Sequence, residues 1–456
     1  MQRWAFSALV PLLVALQAAC LSVRASIPTP DQDPFYQPPD GWQDKPLGTV
    51  LRSRSVEIHG LTEVRLKEAY QLLYRTSYVT EDQPTTTVTT VMVPENAHKD
   101  KLVVYGDFED ANGPRCAPSY TYRVGASSDP SGTANMASTL PFLQQGYTVT
   151  VPDKEGNKGA FASGHVEGHQ TLDGIRATLS FDKLGFGKDT KVVGSGYSGG
   201  AIQIGWAAAM KSTYAPELPI SGWYMGGTPA NLTSMILLLN KSLFSAFVLG
   251  GITGIVDTYP QASDLFDKVA TKEGQKALSF ARTNCLLDDL VTYPFQDVFS
   301  EKYSSLGEAF LTHPDVKPIL NSLTMGYDKK YTPDAPILMV HGKADEISPY
   351  DSAKKSAQDW CNNGADVEFH TYDTDLSAHF ITQITATAKS YVWLTDRLDG
   401  KPANSGCKFT SSQDVILDPN ALGPGLQNIL DILTGLAGDQ IGPGDAVLAQ
   451  KIRNGN

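Results

Sequence analysis

The chain has 456 residues, 41% hydrophobic and 19% charged, with a formal net charge of -12. That is an ordinary globular composition with material for a large core. The acidic balance excludes a nucleic-acid partner held through phosphate contacts.

Arg3 precedes an apolar run, Ala8–Cys20, which is too short to span a bilayer and is broken by Pro11. Residues 1–25 read as a secretory signal peptide. Val23-Arg24-Ala25 is the cleavage signal, and a cut after Cys20 is the alternative. Export places the chain outside the cell in an oxidising compartment. Cys116, Cys285, Cys361 and Cys407 then form two disulfides, with three connectivities open. Asn231-Leu232-Thr233 and Asn240-Lys241-Ser242 are N-glycosylation sequons.

Residues 26–48 are rich in Pro and Asp and form an arm, unfit for helix or sheet interior. A first core segment, 49–230, follows. Val50–Ile58, Ala69–Val79 and Thr85–Val93 alternate and read as antiparallel strands. Leu102–Tyr105 is a short buried strand, and a long polar loop, Gly106–Tyr120, follows it. Leu140–Gln145 reads as helix and Tyr147–Val151 as strand. In His165-Val166-Glu167-Gly168-His169 two histidines share a helix face around a carboxylate. The order is neither H-E-x-x-H nor H-x-x-E-H, and no ligand cluster accompanies it. It reads as a polar helix start, and no metal or cofactor is expected. Leu172, Ile175 and Leu179 continue at helical spacing.

The stretch Thr190–Met210 organises the chain. Lys191–Val193 is β-branched, Gly196-Tyr197-Ser198-Gly199-Gly200 fits G-x-S-x-G, and an Ala- and Ile-rich helix follows. Strand, sharp turn and helix are the context of a nucleophile elbow, with Ser198 at its apex. Gly199 opens the helix, so its N–H is an orphan donor suited to an oxyanion.

Residues 231–331 read as an inserted helical cap. Asn231–Pro260 is strongly apolar, with Lys241 and Asp257 its charges. Asn240, Lys241, Ser242 and glycines interrupt it, so stable membrane insertion is not expected. An apolar cap beside a serine suits a lid over a greasy acyl site.

Residues 332–456 resume the core. The strand Pro336–Val340 leads to Asp345, where a triad acid belongs; Glu346 is its rival. Tyr350–Cys361 reads as helix and Val367–Tyr372 as the last strand. His379 in the loop beyond is preferred over His370 inside the strand, with a helix from Ile381 to about Leu398. His341 reads as a packed turn residue. The order Ser198, Asp345, His379 is that of an α/β-hydrolase, with a mostly parallel central sheet and an inserted helical cap. In that fold the loop carrying Glu109-Asp110 supplies the second oxyanion donor, although an HGGG-type sequence is absent. A buried Asp110 carboxyl, if protonated, adds a third donor. Phe409–Asn456 mixes apolar pieces with glycines and reads as a C-terminal flap or a frayed end.

From Asp33-Pro34-Phe35-Tyr36 to Cys407 the chain resembles the fungal secretory lipases, the lipase A-like α/β-hydrolases. Tyr74-Arg75-Thr76, Cys116-Ala117-Pro118-Ser119-Tyr120, Leu172-Asp173-Gly174-Ile175-Arg176-Ala177 and Gly226-Gly227-Thr228-Pro229 carry the resemblance. So do Thr292-Tyr293-Pro294-Phe295, Asp345-Glu346-Ile347 and Ala378-His379. The resemblance implies a secreted lipase acting on lipid esters at a lipid–water interface. It implies Ser198, Asp345 and His379 as triad, Asp110 and Gly199 as oxyanion hole, and disulfides Cys116–Cys285 and Cys361–Cys407. One departure is an extra residue around Asn112-Gly113-Pro114. Rivals are an esterase or acyltransferase using the same triad, and a dead lipid-binding protein.

Overall fold

The computed structural model describes residues 27–59, 66–125 and 135–413. The expected signal peptide, residues 1–25, and nearly all of the C-terminal tail lie outside them. Ten strands form one sheet. Strands β1 (Val50–Ser55), β2 (Leu66–Ser77) and β3 (Pro84–Pro94) are an antiparallel meander. Seven parallel strands continue it in the order β5-β4-β6-β7-β8-β9-β10.

In chain order these parts are β4 (Lys101–Gly106), α1 (Pro118–Val124), α2 (Leu140–Gln144), β5 (Thr148–Pro152), α3 (Gly164–Leu179), β6 (Lys191–Tyr197), α4 (Gly199–Tyr214) and β7 (Ile220–Gly226). Helices α5 (Leu232–Leu239), α6 (Ser245–Thr258), α7 (Pro260–Val269), α8 (Lys272–Ala281), α9 (Leu286–Thr292), α10 (Ala309–Thr312) and α11 (Lys317–Ser322) come next. The chain closes with β8 (Ile337–Gly342), α12 (Tyr350–Asn362), β9 (Val367–Tyr372), α13 (His379–Leu398) and β10 (Cys407–Ser412).

The central strands read as unbroken apolar runs because both faces are covered. Leu102 and Val104 of β4 enter the core beneath α3, α4 and α12, while Val103 and Tyr105 enter the one beneath α2 and α13. Ile337 and Met339 of β8 divide from Leu338 and Val340 in the same way. The helices between β7 and β8 enclose a core of their own, including Phe247, Ile252, Leu265, Leu278 and Phe310. Among the described residues no helix is long and apolar enough to cross a membrane.

Three sequence expectations need correction. Helix α3 does not start as a polar face: residues 164–175 are buried throughout. His165 packs edge-on against Trp206, and His169 Nδ1 lies 2.8 Å from the Tyr78 carbonyl. Burial pushes both imidazoles down to about 4, so they are neutral core residues. Strand β9 is not the last: β10 pairs with it in parallel, Cys407 opposite Val367. Its polar, exposed sequence, Phe-Thr-Ser-Ser after Lys408, carries little strand signal. His379 is the first residue of α13 rather than part of the loop before it.

Candidate active site

The sheet ends build the site. Ser198 stands between β6 and α4 at φ 55°, ψ -123°. A non-glycine residue held there costs about 1–3 kcal/mol and persists only where its surroundings dictate it. A Cβ on Gly196 would lie 2.2 Å from the Gly200 carbonyl oxygen, so strand and helix meet at a distance that glycine alone allows. The Ser198 N–H donates to the Gly226 carbonyl at 3.0 Å, fixing the turn to β7.

Asp345 follows β8 by three residues, and His379 opens α13 beyond β9. His379 Nδ1 lies 2.8 Å from Asp345 Oδ2, both side chains sealed from solvent. A carboxylate has no proton to give, so Nδ1 donates and Nε2 is left as the acceptor. Nε2 is buried with no hydrogen-bond partner. Asp345 Oδ1 accepts the Ile347 and Ser348 N–H groups at 3.0 and 2.7 Å. Burial opposes ionisation of Asp345, but His379, His341 and the Ser348 N–H outweigh it and hold the carboxyl below its usual range.

His341 is more than a packed turn residue. Its Nε2 lies 3.0 Å from the Ser348 carbonyl and 3.4 Å from Asp345 Oδ2, and its Nδ1 accepts the Thr228 N–H at 3.3 Å. It steadies the acid loop from behind. Glu346 serves the histidine instead of replacing Asp345: its Oε2 accepts the His379 N–H at 2.9 Å, capping α13. His370 turns away to Thr410 and Ser412 of β10, at 2.8 and 3.1 Å.

Across from the histidine, the loop after β4 places Asp110 on Gly199. A Cβ on Gly199 would overlap the Asp110 carboxyl, so glycine at this position makes room for it. Glu109 and Asp110 both have positive φ, 34° and 51°, which turns the loop sharply here. The Gly199 N–H opens α4 and has no acceptor within the helix. Burial is the leading cause that pushes the Asp110 carboxyl well above its usual range, with Glu155 and Glu167 adding to it and Lys154 opposing.

An apolar cavity lies beside the elbow. Ile202, one turn into α4, lines it with Phe161, Leu232, Met235, Phe247 and Val248. The loop behind Asp110 is tied to the helices over the sheet by the disulfide Cys116–Cys285, and α12 is tied to β10 by Cys361–Cys407. These are the pairings that the resemblance implied.

The family model described as "Secretory lipase" matches residues 127–406. The chain belongs to the secretory lipase family. It is 52% identical to the secreted triacylglycerol lipase LIP2 of Malassezia globosa over 95% of this chain and 96% of that one. It is 42% identical to the secreted triacylglycerol lipase LIP1 of Malassezia furfur, over 92% and 86%. Candida antarctica lipase A in its closed state superposes with a TM-score of 0.79 at 30% identity, covering 89% of this chain and 95% of that one. This secretory lipase therefore has the α/β-hydrolase fold and is an extracellular carboxylic ester hydrolase. The esterase LipA of Xanthomonas oryzae shares the fold at 17% identity, with a TM-score of 0.60 over 78% of this chain and all of that one.

Proposed function

We propose that this secreted hydrolase cleaves acylglycerol esters through an acyl-enzyme on Ser198. The observations that support the reading are the strained serine at the elbow and, at neighbouring strand ends, a sealed Asp345–His379 pair whose Nε2 has no hydrogen-bond partner. Ser198 Oγ attacks the ester carbonyl while His379 Nε2 takes its proton. The same proton goes to the departing glyceride oxygen, and water then repeats the cycle on the acyl-enzyme. Asp345 holds the tautomer and stabilises the imidazolium. The Gly199 and Asp110 N–H groups receive the oxyanion.

The acyl chain enters the apolar cavity against Phe161, Leu232 and Met235. Residues 231–331 act as a cap that opens toward a lipid–water interface. Val291 and Phe295 on that segment are 72% and 66% exposed, with Leu237 and Leu238 about half exposed, an apolar rim suited to lipid. Asn231 and Asn240 are proposed glycan acceptors at its base. The Asn231 side chain caps α5, and the Asn240 amide donates to Asp297.

The test compares triolein emulsion with soluble p-nitrophenyl butyrate, using purified protein and Ser198→Ala. Triolein turnover that vanishes in the variant is expected. Butyrate turnover alone would make it an esterase or acyltransferase. No serine-dependent turnover, with no fluorophosphonate labelling of Ser198, would overturn the reading.

A further inference from the structure

Behind the oxyanion loop lies a group of buried charges that the triad does not use. Lys154, directly after β5, is wholly buried. Its Nζ is 2.7 Å from Glu155 Oε1, 3.7 Å from Glu167 Oε2 and 3.9 Å from Asp110 Oδ1, with the Phe161 ring 5.2 Å away. Other titratable groups face it from each neighbouring element. Asp107 and Glu109 come from the loop after β4, Asp153 from the end of β5, and Tyr259 from the residue before α7. Tyr122 of α1 holds Asp107 through its hydroxyl at 2.6 Å, and Ser119 holds Asp153 at 2.5 Å.

The geometry is unbalanced. Buried acceptor oxygens with no donor within close hydrogen-bond distance crowd the cluster: Glu109 Oε2, Asp110 Oδ1, Glu155 Oε2 and both oxygens of Glu167. One ammonium cannot support several buried carboxylates, because each unpaired charge in a dry site costs several kcal/mol. Protons held on some of these carboxyl groups would supply the donors these oxygens lack. The cluster also touches two strained places. The Ala111 N–H, next to Asp110, favours ionised Glu155, and the Ala162 N–H favours ionised Glu167. Ala162 has φ 63° and lines the apolar cavity.

We propose that Lys154 is the positioning residue of the oxyanion hole: with Glu155 and Glu167 it forms a proton-sharing clamp that holds Asp110 over Gly199 and the Ala162 loop against the acyl cavity. The clamp rests on the triad reading given above. Its carboxyls share protons at neutral pH. Burial is the leading cause, raising Glu155 to about 7 and Glu167 to about 8 against the pull of Lys154. As pH rises through that window the clamp loses its protons, the carboxylates repel one another and the loop loosens. Turnover therefore has an alkaline limb set by the clamp rather than by the triad.

Lys154→Met, Glu167→Gln and Ser198→Ala are compared on p-nitrophenyl butyrate from pH 5 to 10, with fluorophosphonate titration counting folded, reactive sites. Lys154→Met is expected to lower kcat by about 10²–10³, the loss typical of a missing oxyanion donor, with KM changed far less. Glu167→Gln keeps the lysine, cannot lose a proton at this position, and is expected to shift the alkaline limb to higher pH. Wild-type kcat in Lys154→Met overturns the proposal, as does an unmoved alkaline limb in Glu167→Gln. The second readout stands even if Lys154→Met fails to fold. Turnover by Ser198→Ala would instead overturn the triad and this proposal together.

Discussion

The two sides of the site solve the same problem, a buried charge, in opposite ways. On the acid–histidine side the carboxylates have their donors: Asp345 accepts from His379, Ile347 and Ser348, and Glu346 takes the His379 N–H. On the oxyanion side several carboxyls crowd around Lys154, and several of their oxygens lack a close donor. Asp345 stays ionised below the usual carboxylate range because its partners favour the charged form against the penalty of burial. The second is stable only while protons make up the missing donors. In the proposed mechanism the chemistry at Ser198 depends on one side for proton transfer and on the other for geometry.

The largest effect that separates the sides is expected from Asp345→Asn. It removes the charge that stabilises the imidazolium and favours the wrong tautomer, so kcat should fall by about 10⁴ with KM little changed. Steady-state kinetics on p-nitrophenyl butyrate checks this; a loss below tenfold would move the acid role elsewhere, first to Glu346. A second effect, about tenfold, is expected from His341→Phe, which removes the ring nitrogens that contact Asp345, Ser348 and Thr228 while keeping a ring of similar bulk. Its kcat should fall with the alkaline limb unmoved, the reverse of Glu167→Gln.

The disulfides divide along the same line. Cys116–Cys285 ties the loop that carries Asp110 to the helices over the sheet, and it closes 169 residues of chain. Cys361–Cys407 closes 46 residues at the sheet edge. Replacing the first pair with alanines is expected to cost about 2–5 kcal/mol of stability and to lower kcat. Replacing the second should lower stability alone, read as melting temperature against turnover at 25 °C.

Stability against pH gives a smaller signal of known sign. Glu155 and Glu167 have folded pKa values of about 7 and 8, above the usual 4.5. The folded state therefore binds more protons than the unfolded one between about 4.5 and 8. Their contribution is complete below that window and lost as pH rises through it. His165 and His169, at about 4, act oppositely: the folded state resists their protonation, and stability is lost as pH falls from 6.5 toward 4. Above pH 6.5 the carboxyls act without them. Melting temperature should fall by a few degrees from pH 6.5 to 9, and Glu167→Gln should flatten that slope in calorimetry.

The paired side was legible in the sequence because its information is local and ordered. Ser198 stands between a β-branched run and an Ala-rich helix, and Asp345 and His379 follow strands in the expected order. The start of α13 at His379 was not legible: Ala378 is no capping residue, and the cap arrives from Glu346, 33 residues earlier. The Lys154 cluster was missed for a related reason. A lysine between Asp153 and Glu155 reads as surface, since such residues are rarely buried. Its available signal was position: three consecutive charges directly after β5, at the strand ends where parallel sheets gather their sites. Which carboxyls converge on it depends on the crossing of β4, β5 and α3, which no local pattern encodes.

The smallest effect tests the outer surface. Phe295 has φ 57° and yet presents its ring to solvent, its N–H donating to the Ser242 carbonyl at 2.8 Å. Lys241, with φ 68°, donates to the Gln296 carbonyl at 2.9 Å in the facing turn. A left-handed phenylalanine costs about 1–2 kcal/mol, which a buried ring would offset by packing and an exposed ring does not. The strain is explained if the ring packs against lipid during turnover. Phe295→Gly removes the ring and suits the backbone, so melting temperature should stay level or rise slightly. Triolein turnover should fall about threefold while p-nitrophenyl butyrate turnover holds, since burying one aromatic ring is worth roughly 1.5–3 kcal/mol at full transfer and less at a partial one. Equal loss on both substrates would assign Phe295 to the packing of residues 231–331 themselves.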